Sequence, residues 1–370
     1  MDKIKKQIEC YVPITGCTLR CHYCYITHQR LFDNKLPELT HSPEFIREHL
    51  TQKRLGGPCS INMCGGGETL LMPIILQYAR ALAEEGHYVS IVTNATVSKR
   101  FDELLEFPKE VTSHIFFKFS YHYMELKKRG LLDKFFENIQ KARRAGCSFT
   151  LEITPSDELI PYIDELKELA IEKVGAIPHC TIARDERDPQ KLPILTDMSD
   201  EEYVKTWSTF DSELFRFKKS IFNVPQKDFC YAGKWSFFFD LLSGDARPCY
   251  NSHIHKNLYE DESPIDFPPV GCSCSEYHCY NGHAFLTWGL VPSLKTPTYA
   301  EMRNRICEDG SEWLQPELKA FFSSKLKESN REYTPIEKYC INWYIRHKSK
   351  IDGFCGKIRG IKSRFFGNRI

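Results

Sequence analysis

No stretch of the chain stays apolar for the ~20 residues that a membrane-spanning helix needs. The N-terminus, MDKIKKQIECYVPITGC, lacks the apolar run and small-residue cleavage site of a secretory signal. These two absences predict a cytoplasmic protein. An excess of one charge sign is also missing. The 50 Lys and Arg against 49 Asp and Glu leave a formal charge of +1 over 370 residues, so no overall field draws the chain to nucleic acid, and no nucleic-acid partner is expected. Neither an internal repeat nor a low-complexity linker interrupts a composition that is 42% hydrophobic and 27% charged, as in an ordinary globular protein. What the chain does have is cysteine, 16 in all. In a reducing compartment, dense thiols point to metal or redox chemistry rather than to a disulfide framework.

Apolar runs and helical segments alternate along the first half. YVPI (11–14) leads into a cysteine-rich loop, and Ser42-Pro43-Glu44 then opens a helix with a capping residue and Pro at its first position. SINMC (60–64), YVSIVT (88–93), HIFFKFS (114–120), SFTLEIT (148–154) and AIPHCTIA (176–183) follow as strands separated by helical stretches. Six such strands at roughly 30-residue spacing, several continuously apolar, argue for buried parallel strands with helical crossovers. The expected fold is α/β, a partial (β/α)6 TIM-like barrel over residues 1–221, with its chemistry at the C-terminal strand ends. A cysteine-rich unit over 222–295 and a helical C-terminal region over 296–370 complete the expected organisation.

The loop after the first strand reads ITGCTLRCHYCY, with Cys17, Cys21 and Cys24 spaced C-x3-C-x2-C. A structural zinc wants four protein ligands. Three thiolates on a 4Fe-4S cluster instead leave one iron open to another ligand. The next strand end carries MCGGGETLL (63–71), which a zinc or iron-sulfur knuckle would not explain. Together these two stretches resemble the cluster and glycine-rich motifs of the radical SAM superfamily, in order, spacing and strand context, from residue 8 to about 185. The resemblance implies that Cys17, Cys21 and Cys24 hold a SAM-binding 4Fe-4S cluster, and that Gly65, Gly66, Gly67 and Glu68 receive the methionine end of S-adenosylmethionine, Gly67 and Glu68 offering acceptors to its ammonium. It also implies reductive cleavage of S-adenosylmethionine to a 5′-deoxyadenosyl radical, which abstracts a substrate hydrogen.

Further cofactor contacts are expected at Asn94, Ser120 and Glu152 on the ends of strands 3, 4 and 5. Ser120 resembles the strand-4 serine near the bound nucleoside in many members, although Ser-Tyr-His-Tyr stands here where Ser-x-Asp-Gly is common. Asn94 could equally cap a turn, Glu152 pair inside the barrel, and His122 be an ordinary imidazole.

FCYAGKWSFFFDLLSGDARPCY (229–250) places Cys230 and Cys249 on either side of a hairpin expected at Ser243-Gly244, and GCSCSEYHCYNGH adds Cys272, Cys274 and Cys279. The C-x13-G-x4-C spacing is similar to the opening of SPASM and twitch extensions, which carry auxiliary 4Fe-4S clusters. The later C-x-C-x4-C run departs from the full SPASM pattern, so one twitch-like auxiliary cluster is the expectation. Zinc on the same cysteines, or His278 and His283 as substitute ligands, stay open.

Such a cluster implies net oxidation or rearrangement of a small polar substrate, sugar-like or phosphorylated, with a flavodoxin- or ferredoxin-type electron donor. If electrons leave the substrate, a base must take a proton, and His179, Arg184, Asp185 and Glu186 near strand 6 are the catalytic candidates. A peptide-modifying maturase is the alternative, against which stand the only nine residues before Cys10, too few for a leader-recognition domain. A second alternative is a non-catalytic S-adenosylmethionine-binding iron-sulfur sensor or electron carrier. Residues 346–370 hold eight Lys or Arg against one Asp and offer contact with an anionic membrane or a phosphate, or packing on the protein's own barrel.

Overall fold

Six segments of the first half lie side by side as parallel strands in the computed structural model, which describes residues 3–33, 35–187 and 192–347. They are β1 (Lys6–Val12), β2 (Cys59–Gly65), β3 (Tyr88–Thr93), β4 (Ile115–Ser120), β5 (Ser148–Ile153) and β6 (His179–Cys180). Consecutive strands from β1 to β6 are parallel neighbours, each pair joined by a connection that contains helix. Helices Ile74–Glu84, Leu132–Ala145 and Ile163–Val174 cover the sheet, the last two ending at Gly146 and Gly175 in the left-handed conformation that glycine accepts without strain. The fold is α/β, a partial barrel with a parallel core and a cysteine-rich C-terminal region.

Two strands differ from their expected bounds. β1 begins at Lys6 rather than Tyr11, because its buried polar residues Lys6, Gln7 and Glu9 hide it from a reading based on apolar runs. β6 shrinks to two residues. It is an edge strand, and Pro178 just before it has no N–H to extend the ladder.

The cysteine-rich region does not stand apart from this sheet. β7 (Ser236–Asp240) pairs in parallel with β1, and the expected hairpin follows as β8 (Asp245–Arg247), with a further short strand, β9 (Lys256–Asn257). The result is one nine-stranded sheet in the order β6-β5-β4-β3-β2-β1-β7-β8-β9. Gly244 makes the hairpin turn at φ 77°, where a Cβ would strike Tyr259 and Asn257.

Residues between 296 and 330 close the opposite end of the barrel. Trp313 is buried, donates from Nε1 to the Val174 carbonyl at 3.0 Å, and accepts from the amide of Phe149 at the start of β5 at 3.1 Å. The Ser324 hydroxyl accepts from the Ile4 amide just ahead of β1 at 3.3 Å. Helix Pro316–Ser323 sends Phe321 and Phe322 into a second apolar core with Trp235 and Trp288. These contacts seal the N-terminal strand ends and leave the C-terminal ends as the open face. A further helix spans 335–347, and residues 348–370 of the basic tail lie outside the described residues. Among the described residues no helix is long and apolar enough to cross a membrane.

Candidate active site

The loop after β1 and the loop after β2 are bound to each other by backbone. Gly67 N donates to the Ile14 carbonyl at 2.7 Å, and Glu68 N donates to the Gly16 carbonyl at 2.9 Å. The approach is so close that a Cβ on Gly67 would lie 1.8 Å from the Gly16 oxygen, and one on Gly65 would lie 2.4 Å from Ile14. The glycines therefore admit the cysteine loop as well as any ligand. Glu68 is buried and fully engaged: one carboxylate oxygen accepts from Thr93 Oγ1 at 2.6 Å and Leu70 N at 3.0 Å, the other from Asn94 N at 2.7 Å. It fastens the end of β2 to the end of β3. Its burial holds the carboxyl above the ordinary carboxylate range, against these hydrogen bonds.

Cys17, Cys21 and Cys24 border one cavity at the open end of the barrel together with Gly66, Gly67 and Glu68. Asn94 sends Nδ2 to Cys17 Sγ at 3.5 Å and to Thr18 Oγ1 at 3.0 Å. Tyr23 OH is 2.8 Å from His122 Nδ1, tying the cysteine loop to the end of β4. Burial pushes all three thiols above the usual thiol range, so iron binding would displace protons from them. Three cysteines bordering a common space, Cys21 buried and Cys17 and Cys24 half-buried, with backbone and amide donors around them, suit a cluster that needs three protein thiolates and one open iron. Among the described residues no group of three or more His, Cys, Asp or Glu is spaced to hold a single metal ion. A cluster, by contrast, holds its thiolates apart by its own breadth.

Ser120 also borders this outer lobe, which has a volume of about 300 Å³, and its hydroxyl has no hydrogen-bond partner among the described residues. Glu152 borders neither this lobe nor the next. Its carboxylate pairs with the buried Arg303, whose guanidinium also lies 4.9 Å from the Tyr299 ring. Of the four residues expected near β6, Arg184 and Glu186 face the cavity and pair with each other at 2.7 Å. His179 is buried between Ser212 and the Asn304 carbonyl, while Asp185 turns to Arg187, and neither borders the cavity.

A deeper lobe of about 660 Å³ continues the first and shares Tyr25, Val92, Arg184, Glu186, Tyr280 and His283 with it. Its wall includes Glu9, Asn62 and Lys118, which the strand registers place on one face of the sheet with Val92. Lys218, on helix Glu213–Ile221, faces the outer lobe. Reading the sequence for motifs missed Glu9, Lys118 and Lys218. The signal was present for two of them, since a lone charge at an inward position of an otherwise apolar strand (IECYV, FFKFS) is costly unless a cavity hydrates or uses it.

The second cysteine group gathers beside β7. Cys230 and Gly271 exchange backbone hydrogen bonds at 3.1 and 2.9 Å, bringing Cys272 to Cys230. Burial and the proximity of Cys249, Cys274 and Cys272 push the Cys230 thiol up to about 12. Burial and the same neighbourhood, Cys230, Cys249 and Cys274, raise Cys279. Asn342, from the helix 335–347, donates Nδ2 to Cys272 Sγ at 3.3 Å and accepts from Cys272 N at 2.9 Å. His278 Nδ1 is used by the Asn223 amide at 3.1 Å, and His283 lines the barrel cavity instead.

The family described as the Radical SAM superfamily matches residues 11–170. No curated protein matches the chain. Among solved structures, SuiB from Streptococcus suis aligns at 18% identity over 70% of this chain and 64% of its own, with a TM-score of 0.47. The chain therefore spans 64% of the length of that protein. Native anSMEcpe with bound AdoMet aligns at 14% identity over 69% of this chain and 79% of its own, TM-score 0.43. BtrN in complex with AdoMet and 2-DOIA aligns at 16% identity over 71% of this chain and 81% of its own, TM-score 0.33.

Proposed function

From the match of residues 11–170 to the Radical SAM superfamily, we propose that the chain is a radical enzyme whose Cys17, Cys21 and Cys24 hold the 4Fe-4S cluster while Gly66, Gly67, Asn94 and Ser120 receive S-adenosylmethionine. When bound, cluster and S-adenosylmethionine together supply a 5′-deoxyadenosyl radical that takes a hydrogen atom from the substrate. The observation that carries this reading is the meeting of the three cysteines with the glycine-rich loop and Asn94 around one cavity.

The chain's own residues orient the reactants and restrict water. Glu68 keeps the two loops in register through its three hydrogen bonds. The segment around Trp313 closes the far end of the barrel. Ser120 and Asn94 present polar groups at the outer lobe, and the Arg184–Glu186 pair stands where the two lobes join, able to hold a polar substrate and to exchange a proton with it. Of the original acid–base candidates, the cavity favours this pair over His179 and Asp185.

Cys230, Cys249 and members of the Cys272, Cys274 and Cys279 group are suited to one auxiliary 4Fe-4S cluster, which would accept an electron and make the net reaction an oxidation of a small polar substrate. The charged lining of the inner lobe supports such a substrate over an apolar one. The test is anaerobic reconstitution, reduction and chromatography for 5′-deoxyadenosine. Wild type forms the nucleoside and the Cys17→Ala/Cys21→Ala/Cys24→Ala variant does not; equal amounts from both would overturn the assignment.

A further inference from the structure

The walls of the cavity carry charges of both signs, and hydrogen bonds and ion pairs engage the acids more fully than the bases. Glu186 pairs with Arg184 at 2.7 Å, and Asp245 with His255 at 2.9 Å. Asp240 accepts from the amides of Leu242 and Ser243 at 2.9 and 3.0 Å, capping the hairpin turn. Glu9 accepts from Gln7 Nε2 at 2.9 Å and Asn62 Nδ2 at 2.8 Å. Against these, the Lys118 ammonium has no hydrogen bond or ion pair among the described residues, and Lys218 has only the Thr181 hydroxyl. Two further polar atoms beside the inner lobe are buried without partners, the Asn62 Oδ1 acceptor and the Arg247 Nε donor.

We propose that this cavity is an anion-binding site for a phosphate or carboxylate group of the substrate, held where the two lobes join, with Lys118 on the inner side and Lys218 on the outer. The proposal rests on the radical-enzyme reading for its substrate, but the site is argued from the residues alone. Glu9 and Glu152 lie within electrostatic reach of these lysines but form no ion pair with either, so the ammonium groups lack a direct counter-charge that a bound anion would supply. Lys118 borders the inner lobe, which none of the three cysteines lines, whereas Gly66, Gly67 and Glu68 border the outer one.

The surroundings of Lys218 add a second consequence. It is faced by Arg184 from the loop after β6, Glu152 from β5, Lys118 from β4, and Arg303, with His278, His283 and Cys180 also within electrostatic reach. Burial first, then Arg184, Arg303 and Lys118, lower its ammonium to about 7 against the pull of Glu152. An anion placed beside it raises that value again, so binding near pH ~8 is accompanied by proton uptake.

The experiment uses the full-length, anaerobically reconstituted protein with inorganic phosphate and, separately, acetate as probes, followed by calorimetry in buffers of different ionisation enthalpy. Wild type is expected to bind phosphate or acetate saturably at about one per chain. Lys118→Gln and Lys218→Gln each weaken binding roughly tenfold or more, whereas exposed Lys227→Gln leaves it unchanged. Lys118→Arg and Lys218→Arg retain binding, which separates charge from misfolding, and circular dichroism checks the fold of each variant. Proton uptake at pH ~8 disappears in Lys218→Gln. The tighter of the two probes identifies the group. Non-saturable binding, or binding by both Gln variants equal to wild type, overturns the proposal, and if 5′-deoxyadenosine still forms in the same preparation the radical reading stands without it. Saturable, lysine-dependent binding in a preparation that makes no 5′-deoxyadenosine supports the site and removes the radical reading.

Discussion

Glu152 separates a structural carboxylate from a cofactor contact, and the structure assigns it to Arg303. That guanidinium is wholly buried, and its Nε and second terminal nitrogen have no partner among the described residues. Glu152 is its only ion-pair partner among the described residues. Burial alone would raise the Glu152 carboxyl, but Arg303, Lys118 and Lys218 outweigh it and hold the group below its ordinary 4.5. Glu152→Gln keeps an oxygen that can accept from Arg303 and removes only the charge. Leaving one member of a buried pair uncompensated costs about 3–5 kcal/mol. At about 2 °C per kcal/mol, suited to a long chain, the melting midpoint should fall by about 6–10 °C. The double variant Glu152→Gln/Arg303→Met removes both charges and should recover most of the loss. Because the folded-state value of Glu152 is depressed, its contribution is present above about 4.5 and lost as pH falls below that. The gap between wild type and Glu152→Gln should therefore narrow in acid. Calorimetry and S-adenosylmethionine binding measured on the same samples decide the matter. A midpoint shift under about 1 °C together with a clear loss of S-adenosylmethionine affinity would refute the structural role.

Three other perturbations follow from the geometry. Gly67→Ala drives a methyl group into the Gly16 carbonyl, so the cysteine loop must move; iron at the first site and 5′-deoxyadenosine should both fall roughly tenfold or more while helix content is kept, and normal iron would count against the docking described. Asn342→Leu removes both hydrogen bonds to Cys272, at a cost of about 1–3 kcal/mol to that corner; iron should be lost faster to a chelator from the second cysteine group than from the first. His122 is lowered to about 4 by burial, so it is neutral and accepts from Tyr23 at neutral pH. Its folded value lies below the ordinary 6.5, so the unfolded chain binds the proton first and stability declines as pH falls from about 6.5 to about 4. His122→Phe should flatten the melting midpoint across that window.

The sequence carried the parallel strands and the cysteine loop because each has a local signature: apolar runs at regular intervals, and three thiols at fixed spacing beside a glycine run. β3 was legible to the residue, since YVSIVT is apolar and bounded by Gly86-His87 and Asn94. What stayed hidden was set by distant partners. Nothing in SFFFD says that β7 adds to the edge of β1, because an apolar strand does not specify its neighbour. Glu152 could not be distinguished from a cofactor ligand without Arg303, which lies 151 residues away. The glycines of GGGET pointed to close backbone approach, yet part of that approach is to Gly16 of the same chain. His179, with the residue type of a base, is enclosed by Ser212 and Asn304, whereas Lys218, on a helix that carries no motif, reaches the cavity.

The central claim is that two separate cysteine groups each hold a 4Fe-4S cluster. The most direct measurement is iron per chain after anaerobic reconstitution of wild type, of Cys17→Ala/Cys21→Ala/Cys24→Ala, and of Cys230→Ala/Cys249→Ala. The account predicts about eight irons in wild type and about four in each variant, from four irons per cluster. About four irons in wild type, falling to none in the first variant and unchanged in the second, would contradict it by removing the auxiliary cluster and the oxidation that depends on it.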